Sequence, residues 1–239
     1  MKKIMVTGGS GGIGRAIVSE LSGAGFDILN LDIAAPAETF PGETRMAVDF
    51  RNPQKFSAIL ERLKKESWHG IVHSAGYGGP YQEITEISLQ DYNDIMNINL
   101  TSFYQLLNHI LPGMKQNKAG RVVAISSILG SAGSALSTVY STAKHGIIGM
   151  VRSVADEAGK YGITVNAVSP GFVATKMGVQ NDQVSDHEKK IINRTPAGKI
   201  AKPEEIARVV MFLLDEKSDY INGADWVVDG GISAGRFIT

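Results

Sequence analysis

Thr7-Gly8-Gly9-Ser10-Gly11-Gly12-Ile13-Gly14 interrupts two patterned segments near the start of the chain. Before it stands the apolar run Ile4-Met5-Val6. After it, Ile13, Ile17, Val18 and Leu21 repeat at helical spacing. A strand that passes through a glycine-rich turn into a helix makes an anion site. The glycines let the backbone approach a pyrophosphate, and the helix N-terminus offers N–H donors and partial positive charge. Two spacings coexist: Gly9, Gly11 and Gly14 fit G-x-G-x-x-G, and Gly8, Gly12 and Gly14 fit T-G-x-x-x-G-x-G, with Ser10 and Ile13 between them. The bland alternative is a glycine-rich turn that binds nothing.

Outward from this turn, short β-rich runs alternate with helical patterns, which predicts a parallel sheet with crossover helices. Strands are expected at 4–7, 27–31, 45–48, 71–73, 121–126, 163–168 and 226–228. Helices are expected over 12–24, from Pro53, over 88–118, over 138–161 and from Pro203. The expected fold is α/β: one Rossmann-type domain over 1–239, with a doubly wound parallel sheet of about seven strands and helices on both faces. Residues 171–202 are the least patterned and form a candidate substrate loop or lid.

Asp32 closes the second expected strand, 18 residues beyond Gly14. A carboxylate there can accept the ribose hydroxyls of an adenosine and repels a 2′-phosphate. No Arg or Lys occurs in the ten residues after it, and position 11 is Gly, so the pattern favours NAD over NADP. The alternative is a surface Asp that starts a turn.

Tyr140 and Lys144 are spaced i, i+4, on one face of an expected helix. A phenol titrates near about 10 and is a poor base at neutral pH. A fixed cation beside it favours phenolate and lowers that value. Alone, such a pair usually marks a solvated face.

Composition removes other classes. There are no cysteines, so disulfides, thiolate metal sites and cysteine nucleophiles are excluded. Basic and acidic residues balance at 24 each, with no run suited to a nucleic acid. His69 and His73 flank strand-like Ile71-Val72, which would set them roughly 13 Å apart, too far for one metal. No apolar stretch approaches a membrane span, and a cytoplasmic protein is the expectation.

The glycine turn, Asn99, Ser127, Tyr140, Lys144 and Ser169-Pro170-Gly171 followed by Thr175 together resemble the short-chain dehydrogenase/reductase family. The resemblance spans essentially the whole chain, including the 13-residue step from Ser127 to Tyr140. It implies Tyr140 as acid/base, Lys144 as activator and nicotinamide-ribose ligand, and Ser127 as hydrogen-bond donor to the substrate oxygen. It implies Asn99 as the holder of a relay water. Asp49 and Phe50 would flank adenine, and Ser74, Ala75, Gly76, Pro170 and Gly171 would line the cofactor. Val173 and Thr175 would contact the nicotinamide amide. Asn99 also reads as a helix-interior hydrogen bonder and Thr175 as a helix cap. One departure is His73-Ser74-Ala75-Gly76 where the family often has N-N-A-G. Ser74 is the expected substitute for the missing Asn side chain.

The resemblance implies hydride transfer between NAD(H) and a small secondary alcohol or ketone: a polyol, sugar, hydroxy-ketone or cyclic alcohol. The alternatives are a 3-oxoacyl-carrier-protein reductase, with Lys118 and Lys160 as docking cations, and a non-catalytic dinucleotide-binding regulator. A homotetramer is expected. Leu100, Phe103, Leu106, Leu107, Ile110 and Leu111, then Ile147, Ile148, Met150, Val151 and Val154, read as more than one apolar face per helix. Trp226 and Phe237 would fill a second interface.

Overall fold

Each strand is followed by a segment that returns the chain to the same end of the sheet's strands, so all strands run one way. The computed structural model describes residues 2–175 and 186–234. The order is β1 (Lys3–Thr7), α1 (Gly12–Gly23), β2 (Asp27–Asp32), β3 (Glu43–Ala47), α2 (Pro53–Leu63), β4 (Gly70–His73) and α3 (Leu89–Met96). A π-helical turn (Asn97–Thr101), α4 (Ser102–Asn117), β5 (Gly120–Ile125), α5 (Thr138–Ala158), β6 (Ile163–Pro170), α6 (Asp186–Arg194), α7 (Pro203–Leu214) and β7 (Asp225–Val228) follow. The sheet is parallel in the order β3-β2-β1-β4-β5-β6-β7. The chain winds outward through β2 and β3, then restarts on the other side of β1 with β4. That reversal opens a crevice at the carboxyl ends of β1 and β4.

Alternation along the strands supplies two cores. Met5, Leu31, Ile71, Val122 and Val165 pack against Phe56, Phe103, Leu106 and Ile110 on one face. Ile4, Val6, Ile28, Val72 and Val123 pack against Ile17, Val18 and Leu21 of α1 and Ile206, Val210 and Leu213 of α7 on the other. Each such fully buried side chain contributes about 1.5–3 kcal/mol. Among the described residues no helix is long and apolar enough to cross a membrane.

Three expectations change. The helix expected over 88–118 is interrupted by the π turn, which apolar periodicity does not reveal. The segment 171–202 contains α6, whose polar sequence hid it; the rest of the candidate lid, 176–185, lies outside the described residues. The apolar residues of α4 and α5 do not form a surplus exposed face. Phe103, Leu106, Leu107, Ile110, Leu111, Ile147, Ile148 and Val151 are buried within the chain, with Leu100, Met150 and Val154 partly covered. These helices lie between the sheet and neighbouring helices and need more than one apolar stripe.

The connection from β2 to β3, residues 33–42, contains no helix. A polar cluster occupies the space instead. Arg15 of α1 meets Glu43 of β3 in a two-pronged pair at 2.9 and 2.6 Å, with the Glu43 side chain fully buried. Asn30 donates to Glu43 at 2.8 Å, and the Arg15 guanidinium lies 4.4 Å above the Phe40 ring. Burial pushes the Glu43 carboxyl up, but hydrogen bonds from Arg15, the Phe40 N–H and Asn30 outweigh it and hold it below its ordinary range. A carboxyl lowered by folding stabilises above its unfolded value and loses that contribution as pH falls through its folded one. Glu43→Gln should therefore cost on the order of 3 kcal/mol in urea unfolding at pH 7, because it strands the Arg15 charge. The difference should shrink toward acid. A loss below about 1 kcal/mol, within the range of an exposed pair, would show that the pair is not structural.

Candidate active site

The crevice begins at the glycine turn, where backbone and backbone touch. Gly8 has φ +70, and a Cβ on it would meet the Ala75 backbone at 2.7 Å. A Cβ on Gly14 would strike the Gly8 carbonyl, and one on Gly12 would meet Thr175 Cγ2 at 2.7 Å. Gly11 borders open space. It is the N-cap of α1 and gives no side-chain hydrogen bond, so among the described residues no side chain caps the first N–H groups of that helix. Asp32 ends β2, and its carboxylate accepts from the Ser10 N–H at 3.0 Å and the Ala34 N–H at 2.9 Å. A narrow glycine cradle, an uncapped helix start and a carboxylate at the end of β2 fit a dinucleotide.

Beside the turn, Thr7 and His73 end adjacent strands. Thr7 Oγ1 accepts the Ala75 N–H at 3.2 Å and lies 2.9 Å from His73 Nδ1. His73 Nε2 lies 3.0 Å from the Asn99 carbonyl, which can only accept, so Nε2 carries the proton and Thr7 donates to Nδ1. Burial, with the Lys144 charge adding to it, pulls His73 down to about 3 against the Asn99 hydrogen bond. The imidazole is neutral at any ordinary pH. The hydrogen bonding expected of the Ser74 side chain is instead made by His73, whose ring links Thr7 of β1 to the π turn at Asn99; Ser74 contributes its N–H to the Thr7 carbonyl at 3.1 Å.

Asn99 sits in the π turn, fully buried, its amide donating to Tyr77 O and Ile95 O, both at 2.8 Å. A Cβ on Gly76 would lie 3.4 Å from Asn99 Oδ1 and 3.6 Å from Lys144 Nζ, so Gly76 lies between them. Lys144 is buried on α5 and donates to the Ile125 carbonyl at 3.0 Å. Ser127, just past β5, N-caps a short 3₁₀ turn by accepting from the Leu129 N–H at 3.1 Å. Its neighbour Ser126 is buried and donates to the Lys144 carbonyl, so Ser126 ties β5 to α5 and faces away from the cleft.

The pair Tyr140 and Lys144 does share a face, with Nζ 5.4 Å from the ring centroid. The lowered phenol value expected from the pair is absent. Burial pushes Tyr140 up to about 12, with the Ser127 hydroxyl pulling it back and Tyr81 adding to the rise. Burial likewise brings Lys144 down to about 7. At this separation desolvation outweighs the attraction between the two groups.

The remaining candidates divide. Val173 is buried and bridges Ala201, Thr175 covers Gly12, and a Cβ on Gly171, after Pro170, would meet Asp229 at 2.8 Å. Asp49 is hydrogen-bonded by Arg51 at 2.7 Å, which holds its carboxyl below the ordinary range. Phe50 is buried edge-on to Phe56 at 4.9 Å, so it belongs to the core as much as to the rim. Two further features lie at the rim. Leu136 has φ +64 and remains 44% exposed, and its carbonyl accepts the Gln82 N–H at 3.3 Å, beside exposed Tyr81. Arg45 donates to the carbonyls of Ile33 and Ala34, both at 2.9 Å. It stands beyond the ten residues after Asp32 in which no Arg or Lys occurs. Lys118 and Lys160 precede β5 and β6, at the amino ends of the strands, opposite the carboxyl ends that Ser127 follows.

Lys144 also leaves a stability signature. Folding lowers its value, so below pH 7 the native state carries the cost of a buried charge, and wild-type stability rises between about pH 7 and 10.5. Lys144→Met should be more stable than wild type in thermal melts at pH 6, with the gap closing as pH rises toward 10. A gap that does not change with pH would show that the ammonium is not buried in solution.

A family model described as Enoyl-(Acyl carrier protein) reductase matches residues 8–233. The 3-oxoacyl-[acyl-carrier-protein] reductase of Vibrio harveyi is 34% identical over 240 residues, covering 97% of each chain. The 2-dehydro-3-deoxy-D-gluconate 5-dehydrogenase of Escherichia coli K12 is 31% identical over 240 residues, 96% of this chain and 94% of the other. Among solved structures, NADP-bound ElxO superposes with a TM-score of 0.89 at 25% identity, over 98% of this chain and 99% of that one. With full-length kinship to two oxidoreductases and a parallel sheet that carries a glycine turn at one end of its crevice and Ser127, Tyr140 and Lys144 at the other, the chain belongs to the short-chain dehydrogenase/reductase family.

Proposed function

We propose that the chain is an NAD(H)-dependent oxidoreductase that interconverts a secondary alcohol and a ketone, with Tyr140 as acid/base. The observation that carries this is the convergence of the Ser127 hydroxyl, the Tyr140 phenol and the buried Lys144 ammonium beside an uncapped helix start. When bound, a nicotinamide dinucleotide supplies or accepts the hydride. Gly11 leaves open space for its pyrophosphate, Gly8, Gly12 and Gly14 let the turn pack tightly beneath it, and Asp32 faces its adenosine ribose.

The protein's own groups handle the proton. A phenol raised to about 12 is fully protonated at neutral pH, the form that donates to a carbonyl oxygen becoming an alkoxide. Ser127 donates a second hydrogen bond to the same oxygen. Lys144, brought down to about 7, sits where it can return a proton to Tyr140, and buried Asn99 lies across Gly76 from it. This arrangement favours ketone reduction near neutrality, and alcohol oxidation should speed up with rising pH.

The mouth of the site supports an uncharged substrate. Residues 77–82 and 128–137 contain no charged side chain, while Tyr81 and Leu136 expose apolar surface there. A polyol, sugar, hydroxy-ketone or cyclic alcohol suits this rim. The runner-up is reduction of a 3-oxoacyl carrier substrate, favoured by the name of the Vibrio harveyi relative. The placement of Lys118 and Lys160 away from the site in this chain weighs against it.

An NADH-absorbance screen over polyols, sugars, cyclic alcohols and a 3-oxoacyl thioester tests the reading. Tyr140→Phe should lower kcat at least 10³-fold while NADH binding stays within about threefold, since a general acid contributes about 10²–10⁴. Residual activity within tenfold of wild type would remove Tyr140 from that role. NADH binding with no turnover of any substrate would favour the non-catalytic regulator.

We also propose a cytoplasmic homo-oligomer, most simply a tetramer. The support is now the exposed apolar surface at Phe212, Tyr220 and Val227, with Trp226 beside Phe212 at 5.5 Å, and at Tyr104 on α4. Phe237 lies outside the described residues. Light scattering at micromolar concentration should give about four times 25.6 kDa; a mass near 25.6 kDa itself rejects assembly.

A further inference from the structure

The loop that follows β4 is fixed at three points. Asn99 accepts the Tyr77 N–H at 3.4 Å and donates to the Tyr77 carbonyl at 2.8 Å. Gly79, at φ +73, folds so closely over Ile95 that a Cβ on it would strike that side chain. The Gln82 N–H donates to the Leu136 carbonyl at 3.3 Å and ties this loop to the one before α5. Pro80 and Tyr81 lie between the last two anchors, yet Tyr81 is 76% exposed. Across the Gln82 bond stands Leu136, half-exposed on its left-handed backbone. Burial on folding accounts for neither side chain. Both belong to the cleft: the Tyr81 phenol is close enough to Tyr140 to disfavour ionisation there, and Leu136 precedes Tyr140 by four residues.

The polar groups of the same walls are turned onto their own backbone. Ser131 Oγ donates to the Ile128 carbonyl and Ser134 Oγ to the Ala135 carbonyl, both at 3.4 Å. Residues 77–82 and 128–137 contain no Asp, Glu, Asn, Arg, Lys or His, and Gln82 brings their single side-chain amide. A polyhydroxylated molecule needs such groups, because a hydroxyl taken from water without a partner is penalised.

We propose that Tyr81 and Leu136 select the substrate, and that this substrate is a compact apolar ring bearing a secondary alcohol or ketone, in preference to a polyol or sugar. The proposal rests on the reading of Ser127, Tyr140 and Lys144 as an alcohol–ketone site and narrows it. The ring lies between the face of Tyr81 and the Leu136 side chain, its oxygen toward Ser127 and Tyr140. In reduction the carbonyl carbon gains a hydride from NADH, which is oxidised to NAD⁺, and the oxygen gains the Tyr140 proton. Tyr81 and Leu136 take no part in that exchange. They bind the apolar body of the molecule and so act on its affinity.

The test compares NADH-dependent reduction of cyclohexanone, its pentahydroxy counterpart 2-inosose, dihydroxyacetone and a 3-oxoacyl thioester. The first two share a ring and differ in hydroxyls. Cyclohexanone should lead 2-inosose at least about 10²-fold in kcat/KM, since two hydroxyls left without partners already cost about tenfold each. Tyr81→Ala and Leu136→Gly should each raise KM for cyclohexanone about tenfold, with kcat and NADH affinity within about threefold of wild type. Tyr81→Phe keeps the ring and should keep the wild-type KM. Leu136→Gly relieves the backbone, so its thermal stability should not fall; it carries the comparison if Tyr81→Ala does not fold. Calorimetry on Tyr140→Phe loaded with NADH should show the same loss of cyclohexanone binding when either change is added. A lead over 2-inosose below tenfold, faster turnover of dihydroxyacetone or the thioester than of cyclohexanone, or a KM that neither change moves overturns the proposal and leaves the oxidoreductase reading in place. NADH binding with no turnover of any ketone or alcohol removes that reading and the proposal with it.

Discussion

The site depends on one shared hydroxyl. Thr7 Oγ1 accepts from the Ala75 N–H and donates to His73, and His73 donates on to the Asn99 carbonyl. These contacts join the end of β1, the end of β4 and the π turn, three places far apart in the chain. The bridge needs Gly8 to lie flat against Ala75, which leaves no room for a Cβ. It also needs His73 neutral, and full burial secures that. The glycine turn and the helix segment beside Lys144 are thereby held in fixed relation, a precondition for hydride and proton to move within one small space.

Most of the fold was legible because it is written in local patterns. Seven apolar runs with intervening helical periodicity specify a doubly wound sheet, and the strand limits shift by only one or two residues. What stayed hidden was not local. The π turn at Asn99 arises where α3 and α4 join, and neither helix marks it by hydrophobic spacing. Polar α6 carries Ile191 as its buried apolar contact. The surplus apolar residues of α4 and α5 suggested an interface, yet both helices are covered on several sides by their own chain.

The site shows the same division. The 13-residue step to Tyr140 pointed to Ser127, and the structure turns its neighbour Ser126 toward the α5 backbone. Spacing also placed Lys144 near Tyr140, but not how dry the location is. Burial reverses the expected effect: the phenol rises and the ammonium falls. A sequence shows which charges are neighbours, while the solvent around them sets the sign of the net shift.

The rim carries the clearest record of a choice against stability. Leu136 holds a left-handed backbone that glycine would adopt without strain, and its side chain gains little burial in return. Strain of this kind persists when the surroundings fix it, here through the bond from Gln82 to the Leu136 carbonyl. That side chain stands four residues before Tyr140 and remains largely exposed. The bridge beneath ties three distant parts of the chain together through buried hydrogen bonds, and the rim above it keeps a strained backbone with its apolar side chain exposed.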